Sequence, residues 1–235
     1  MSKLLKNIIK STPVIGKLLI SLNKKIKNKI ELNAENFESK SYWESRYLAN
    51  GNSGAGSYNH FAEFKAEVIN NFVVDNNISS VVEFGCGDGN QLKLSKYNSY
   101  LGFDVSSKSL EICRKVFSDD RSKEFRLMDS YANDIRQLSL SLDVIYHLVE
   151  DDVFHDYMKT LFSAAERYVI IYSSNTADQT LTSAIHVRHR KFSDWVEVNC
   201  PNWKLIKFLP NKYPYNGDSN STSFADFYFY GRDDK

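Results

Sequence analysis

The chain has 235 residues, 42% of them hydrophobic and 25% charged. That balance excludes a disordered, collagen-like or repeat-only polypeptide and suits one α/β domain. The formal net charge is +1, so no global field draws the protein to nucleic acid. Cys86, Cys113 and Cys200 form neither a disulfide framework nor a metal-ligand spacing, so a reducing, cytoplasmic setting is expected and no metal site is assigned.

The charge is unevenly spread. Residues 1–30 hold eight lysines and no acid, which leaves 22 basic and 29 acidic residues, a charge of −7, on the remainder. Thr12 can cap a helix whose first turn holds Pro13. Ile15, Leu18, Leu19, Leu22 and Ile26 share one face of it, opposite Lys17, Lys24 and Lys27. Lys10 and Lys17 interrupt every apolar run, which excludes a transmembrane span, and no small-residue cleavage site follows an apolar core. Two readings of this basic amphipathic arm stand. One is an interfacial helix on the inner membrane surface, where each lysine adds about 1 kcal/mol. The other is a helix packed on the body or on another subunit.

Residues 31–78 form a lead-in. The stretch 31–57 is polar and ends in Gly51-Asn52-Ser53-Gly54-Ala55-Gly56-Ser57, which reads as a loop serving as a lid, a phosphate nest or a linker. Phe61, Phe64, Val68, Ile69 and Phe72 mark the apolar face of a helix. From residue 79 onward strands and helices alternate. Strands are expected at 81–84, 100–105, 124–128, 138–142, 168–172, 203–209 and 223–230, with helices at 107–117, 151–166 and 192–199. The pattern predicts a mostly parallel sheet with helices on both faces and a late antiparallel pair at one edge.

The strand 81–84 runs into Gly85-Cys86-Gly87-Asp88-Gly89-Asn90. Glycine lets the chain turn sharply and lets a ligand approach the backbone, and ligands in such sheets bind beyond the carboxyl ends of strands. The spacing is G-x-G-x-G, with Glu83 two residues before the first glycine and Asn90 in the last position of the dinucleotide fingerprint. Asp104 ends the second strand, where a carboxylate can accept both ribose hydroxyls. Asp129 ends the third, where it can accept the amine of adenine. A tight strand–helix turn without a ligand is the plainer alternative.

These segments, together with Gly102-Phe103-Asp104-Val105-Ser106, Met128-Asp129 and Leu142-Asp143-Val144-Ile145-Tyr146-His147-Leu148, resemble the class I S-adenosylmethionine-dependent methyltransferases. The resemblance runs from about Tyr42 to the C terminus. It implies a Rossmann-like seven-stranded sheet whose last strand is antiparallel. It implies Gly85, Gly87 and Gly89 against the amino-acid portion of the cofactor, Asp104 on ribose, Asp129 near adenine and Asp143 beside the sulfonium. Tyr42-Trp43-Glu44-Ser45-Arg46-Tyr47 resembles an aromatic segment that closes over the cofactor, with Arg46 pairing a carboxylate. More narrowly, Tyr146–Asp151 and His186–Arg190 resemble methyltransferases of bacterial surface-glycan clusters. A small-molecule or lipid-linked glycan acceptor is therefore expected.

Methyl transfer to a hydroxyl needs a base, and histidine suits that role near neutral pH. His147 follows the fourth strand; the alternative is that it only holds the turn. His186, Arg188, His189 and Arg190 follow the fifth, and could supply a base and bind a phosphate or sugar acid, or could be a solvated basic stretch. Tyr146, Ser173, Ser174 and Asn175 are expected to line the same pocket. Glu150, Asp151 and Asp152 supply negative charge at a helix N-terminus. Two other functions remain open at this point: a non-catalytic methyltransferase-like binding module, and a nicotinamide-dependent oxidoreductase.

Overall fold

The computed structural model of the chain describes residues 37–233. The basic arm of residues 1–30 lies outside the described residues. Seven strands form one sheet: β1 (Val81–Phe84), β2 (Tyr100–Asp104), β3 (Lys123–Leu127), β4 (Arg136–Leu142), β5 (Ala165–Ser173), β6 (Trp203–Leu209) and β7 (Asp226–Arg232). Their order is β3-β2-β1-β4-β5-β7-β6. β1 to β5 are parallel, while β7 runs antiparallel to both β5 and β6. Strand order reverses at β1, which pairs with β2 on one side and β4 on the other, so a crevice opens between the carboxyl ends of β1 and β4.

Alternation along each strand divides the core in two. Val81, Tyr100, Leu138, Ile170 and Phe229 face α2 (Asn59–Asp75) and α3 (Ser107–Val116). Val82, Leu101, Val169, Ile171 and Tyr230 face α4 (Asp151–Ser163) and α5 (Phe192–Asn199). Both faces are covered, so the serines that alternate with leucines in β4 are buried too; the Tyr157 hydroxyl donates to Ser141 Oγ at 2.7 Å.

The lead-in departs from the expected loop. Ser39–Leu48 is a helix, α1, that stops at Asn50 (φ 60°) and Gly51. Its composition is polar, but Ser39, Trp43 and Tyr47 repeat at four-residue spacing and turn one face toward the crevice. Only the Gly/Ser-rich stretch after it is irregular, with one 3₁₀ turn at Ala55–Ser57. β7 begins at Asp226 rather than Ser223, because the Ser223 amide donates to Tyr213 O at 2.9 Å in the preceding loop.

Candidate active site

At the crevice lies a cavity of about 280 Å³. The glycine turn supplies its floor. Gly85 has φ 86°, and a Cβ there would lie 2.4 Å from Val144 Cγ2 on the neighbouring strand end. Gly87 has φ 59°, and a Cβ would lie 2.3 Å from Ser53 Oγ of the lead-in loop. Neither position tolerates a side chain. The loop is also tied down by polar contacts. Asp88 accepts from the Ser53 amide at 3.0 Å and the Tyr58 hydroxyl at 2.7 Å. Burial pushes the Asp88 carboxyl up, but these bonds and others from Asn90 and Ser53 outweigh it and hold the group below its ordinary range. Tyr47 reaches the same place, its hydroxyl 2.8 Å from Ser53 Oγ.

Asp104 is buried at the end of β2 and accepts from the Gly87 amide and the Ser106 amide, both at 2.9 Å. Burial raises its pKa against these two bonds, which favour the ionised form. It lines the cavity and organises the glycine turn at once. Glu83 lines the cavity as well; burial pushes its carboxyl up to about 7, and a 2.7 Å bond from the Tyr100 hydroxyl works in the opposite direction. Gln91 Oε1, in the same wall, is buried with no hydrogen-bond partner among the described residues. An unmet acceptor beside two carboxylates fits a ligand that brings N–H donors.

Asp143 ends β4 in the left-handed region at φ 60°. Lys65 Nζ sits 2.6 Å from its Oδ2, and the Tyr146 hydroxyl donates to its Oδ1 at 2.7 Å. Lys65 is fully buried, with its ammonium 5.2 Å from the Tyr172 ring centroid. The expected site did not include this lysine. The signal was present, since Lys65 falls among Phe61, Phe64, Val68, Ile69 and Phe72 on the apolar face of α2, where a cation needs a buried partner.

His147 lies in the 3₁₀ turn Ile145–His147 after β4 and lines the cavity. Its Nδ1 is 2.9 Å from His186 O. A carbonyl only accepts, so Nδ1 carries the proton and Nε2 carries the lone pair. Burial, above all, lowers its pKa to about 4; the hydrogen bond to His186 O and the charge of Asp143 act against it, while the charges of His186 and Arg46 act in the same sense as burial. The ring is therefore neutral at physiological pH.

Other expected site residues are placed elsewhere. Arg46 bonds the Asn52 carbonyl at 2.7 Å and bounds no part of the cavity, and Tyr42 stacks on His186 with centroids 4.7 Å apart; Trp43 and Tyr47 face the cavity in their stead. Asp129 is exposed and pairs with Lys40 at 2.7 Å, while its neighbour Met128 takes the wall position. Arg188 and Arg190 do not present free guanidinium groups for an acid. Both bond Val149 O at 2.7 Å and pair with Asp151 at 3.1 Å. Asn175 bonds Ser193 at the start of α5, and Ser173 is buried and bounds no part of the cavity. Buried His189 pairs with Ser174 Oγ at 2.7 Å, and His186 is stacked between Tyr42 and His147, so His147 is the one of the three histidines in the cavity wall. Among the described residues no group of three or more His, Cys, Asp or Glu side chains has metal-binding geometry.

No protein-family model matches the chain, and no curated protein matches it in sequence. Solved structures match it in shape. NodS, an N-methyltransferase from Bradyrhizobium japonicum crystallised with S-adenosylhomocysteine, aligns over 84% of this chain and 100% of its own at TM-score 0.64 and 10% identity. Magnesium protoporphyrin IX methyltransferase from Synechocystis, with bound S-adenosylmethionine, aligns over 83% of this chain and 98% of its own at TM-score 0.59 and 14% identity. An S-adenosylmethionine-dependent methyltransferase from Clostridium acetobutylicum aligns over 71% and 90% at TM-score 0.55 and 13% identity. The chain has their fold. It is the Rossmann-like seven-stranded arrangement that the resemblance implies.

Proposed function

We propose that the protein transfers a methyl group from S-adenosylmethionine to a hydroxyl of a sugar or glycan intermediate. One observation carries the reading: the cavity at the sheet's switch point is walled by Gly85, Gly87, Asp104 and Asp143 and also by the neutral imidazole of His147. The residues fit the cofactor. Asp104 offers its carboxylate to ribose, Met128 and Val105 offer apolar surface for adenine, and Glu83 and Gln91 offer acceptors for an ammonium. When bound, S-adenosylmethionine supplies an electrophilic methyl group.

The rest is done by the chain. Trp43 and Tyr47 of α1 cover the cavity and limit water. His147 Nε2 takes the proton from the acceptor hydroxyl as its oxygen attacks, a role worth about 10²–10⁴-fold. A hydroxyl suits this site better than an ammonium, because both Asp143 oxygens are engaged by Lys65 and Tyr146 and leave no unpaired anion at the β4 end. The sugar class rests on the narrower resemblance of residues 146–151 and 186–190. The basic arm of residues 1–30 supports an acceptor met at an anionic membrane surface.

The test is transfer of a labelled methyl group to saccharide acceptors. Wild-type protein is expected to label them, with His147→Ala at least about 100-fold slower. Labelling of amine-bearing acceptors alone would overturn the hydroxyl assignment.

A further inference from the structure

The turn that carries His147 is held from two directions. Four successive carbonyls are each taken by a donor distant in the chain. Tyr146 O accepts from the Arg188 amide at 2.8 Å, and Leu148 O from the Arg190 guanidinium. Val149 O accepts from both arginines at 2.7 Å. These three come from the segment after β5. His147 O alone is met from the lead-in helix, where Ser39 Oγ lies 2.8 Å away and shares its single proton between this carbonyl and Glu150 Oε2 at 2.5 Å. The same hydroxyl accepts from the Val149 amide at 3.1 Å, and Glu150 accepts from the Ser39 amide at 2.7 Å. One turn further along α1, Trp43 sets its ring against the His147 imidazole, centroids 4.9 Å apart and planes at 74°.

We propose that Ser39 is a positioning residue for His147, so that docking of α1 completes the geometry of the base. The inference rests on the reading of His147 as that base. Ser39 fixes the backbone that follows the imidazole, and Trp43 fixes the ring itself. The arginine contacts to the turn do not involve α1. Removing the Ser39 hydroxyl leaves His147 O and the Val149 amide without that partner, frees the ring to leave His186 O, and admits water. The charged and titratable groups around the ring are His186 from the segment after β5, Arg46 from α1 and Asp143 from the end of β4. Ser39→Ala removes none of them but loosens Glu150, which also lines the cavity, so the tautomer mixture and the titration together report the ring's placement.

The experiment is a nitrogen-detected NMR titration of the His147 ring in the full chain, beside steady-state kinetics, for wild type, Ser39→Ala and Ser39→Thr. In wild type the ring is expected to hold its proton on Nδ1 and to titrate well below the ordinary value. Ser39→Ala is expected to mix the tautomers and to move the titration upward, because the water admitted relieves burial, the larger influence, by more than the loss of the His186 O bond lowers it. It should lower kcat about tenfold with a smaller change in KM, because misplacing a reacting group costs rate before binding. Ser39→Thr keeps the hydroxyl and is expected to restore both. An unmoved titration in Ser39→Ala, or no rescue by Ser39→Thr, would overturn the proposal. Should Ser39→Ala not fold, Trp43→Leu removes the ring contact instead and is expected to raise the same titration; no movement there also overturns it. A His147→Ala variant with full turnover would defeat the proposal through the base itself, and the titration separates that failure from a failure of the clamp.

Discussion

Lys65 Nζ lies 2.6 Å from Asp143 Oδ2, and the lysine side chain has no exposed surface. The pair joins α2 to the end of β4 directly under the cavity. Breaking a buried pair strands a charge, which costs about 3–5 kcal/mol, whereas replacing both partners leaves no charge behind. Lys65→Met should therefore lower stability by that amount in chemical denaturation, and adding Asp143→Asn should recover part of it. A loss below about 1 kcal/mol for Lys65→Met would show that the pair is solvated.

Glu83 gives the protein a pH-dependent liability. Its folded pKa is about 7 against an ordinary 4.5, raised chiefly by burial. The folded state thus holds the proton more tightly than the unfolded state between these values, and stability from this group is present below pH 4.5 and lost as pH rises to 7. Glu83→Gln keeps the shape without the charge. Melting curves across pH 4 to 8 should show the variant gaining on wild type as pH rises; a constant gap would contradict the shift.

His147 works in the opposite direction. Its folded pKa is about 4 against 6.5, lowered chiefly by burial, so the unfolded state binds the proton more readily between these values. Its contribution is fully present above pH 6.5 and fades as pH falls toward 4. His147→Phe should flatten that part of the stability profile. A slope unchanged in the variant would place the titration on another residue.

Arg188 and Arg190 separate a structural role from recognition of an acidic acceptor. Arg190 is half-buried over the Phe154 ring at 4.7 Å and serves two carbonyls, Leu148 O and Val149 O. Arg190→Ala is expected to destabilise the protein by about 1–3 kcal/mol, the cost of leaving buried acceptors unmet, without a selective rise in acceptor KM. A specific KM effect in a protein of wild-type stability would return the arginine to the substrate.

Parts of this site are legible in the sequence for clear reasons. Gly85 and Gly87 stand where positive φ and close approach demand glycine, and Asp104 and Asp143 mark strand ends because a carboxylate stops an apolar run. The face of α1 was not legible. Trp43 and Tyr47 differ from Tyr42 and Arg46 only by one step of helical phase, and the phase is set by docking on the glycine turn. The partners of the arginines are not legible, because a guanidinium suits a carbonyl as well as a phosphate. Which one it meets depends on a turn, Tyr146–Val149, whose carbonyls are met by donors distant in the chain that no local pattern announces.

The central claim is that the cavity between β1 and β4 holds an adenosine-bearing methyl donor, and calorimetry with S-adenosylhomocysteine tests it most directly. Wild type is expected to bind one equivalent. Asp104→Ala should bind about 1–3 kcal/mol more weakly through the loss of charge-assisted hydrogen bonds. No heat of binding and no rise in melting temperature for the wild-type chain would contradict the account.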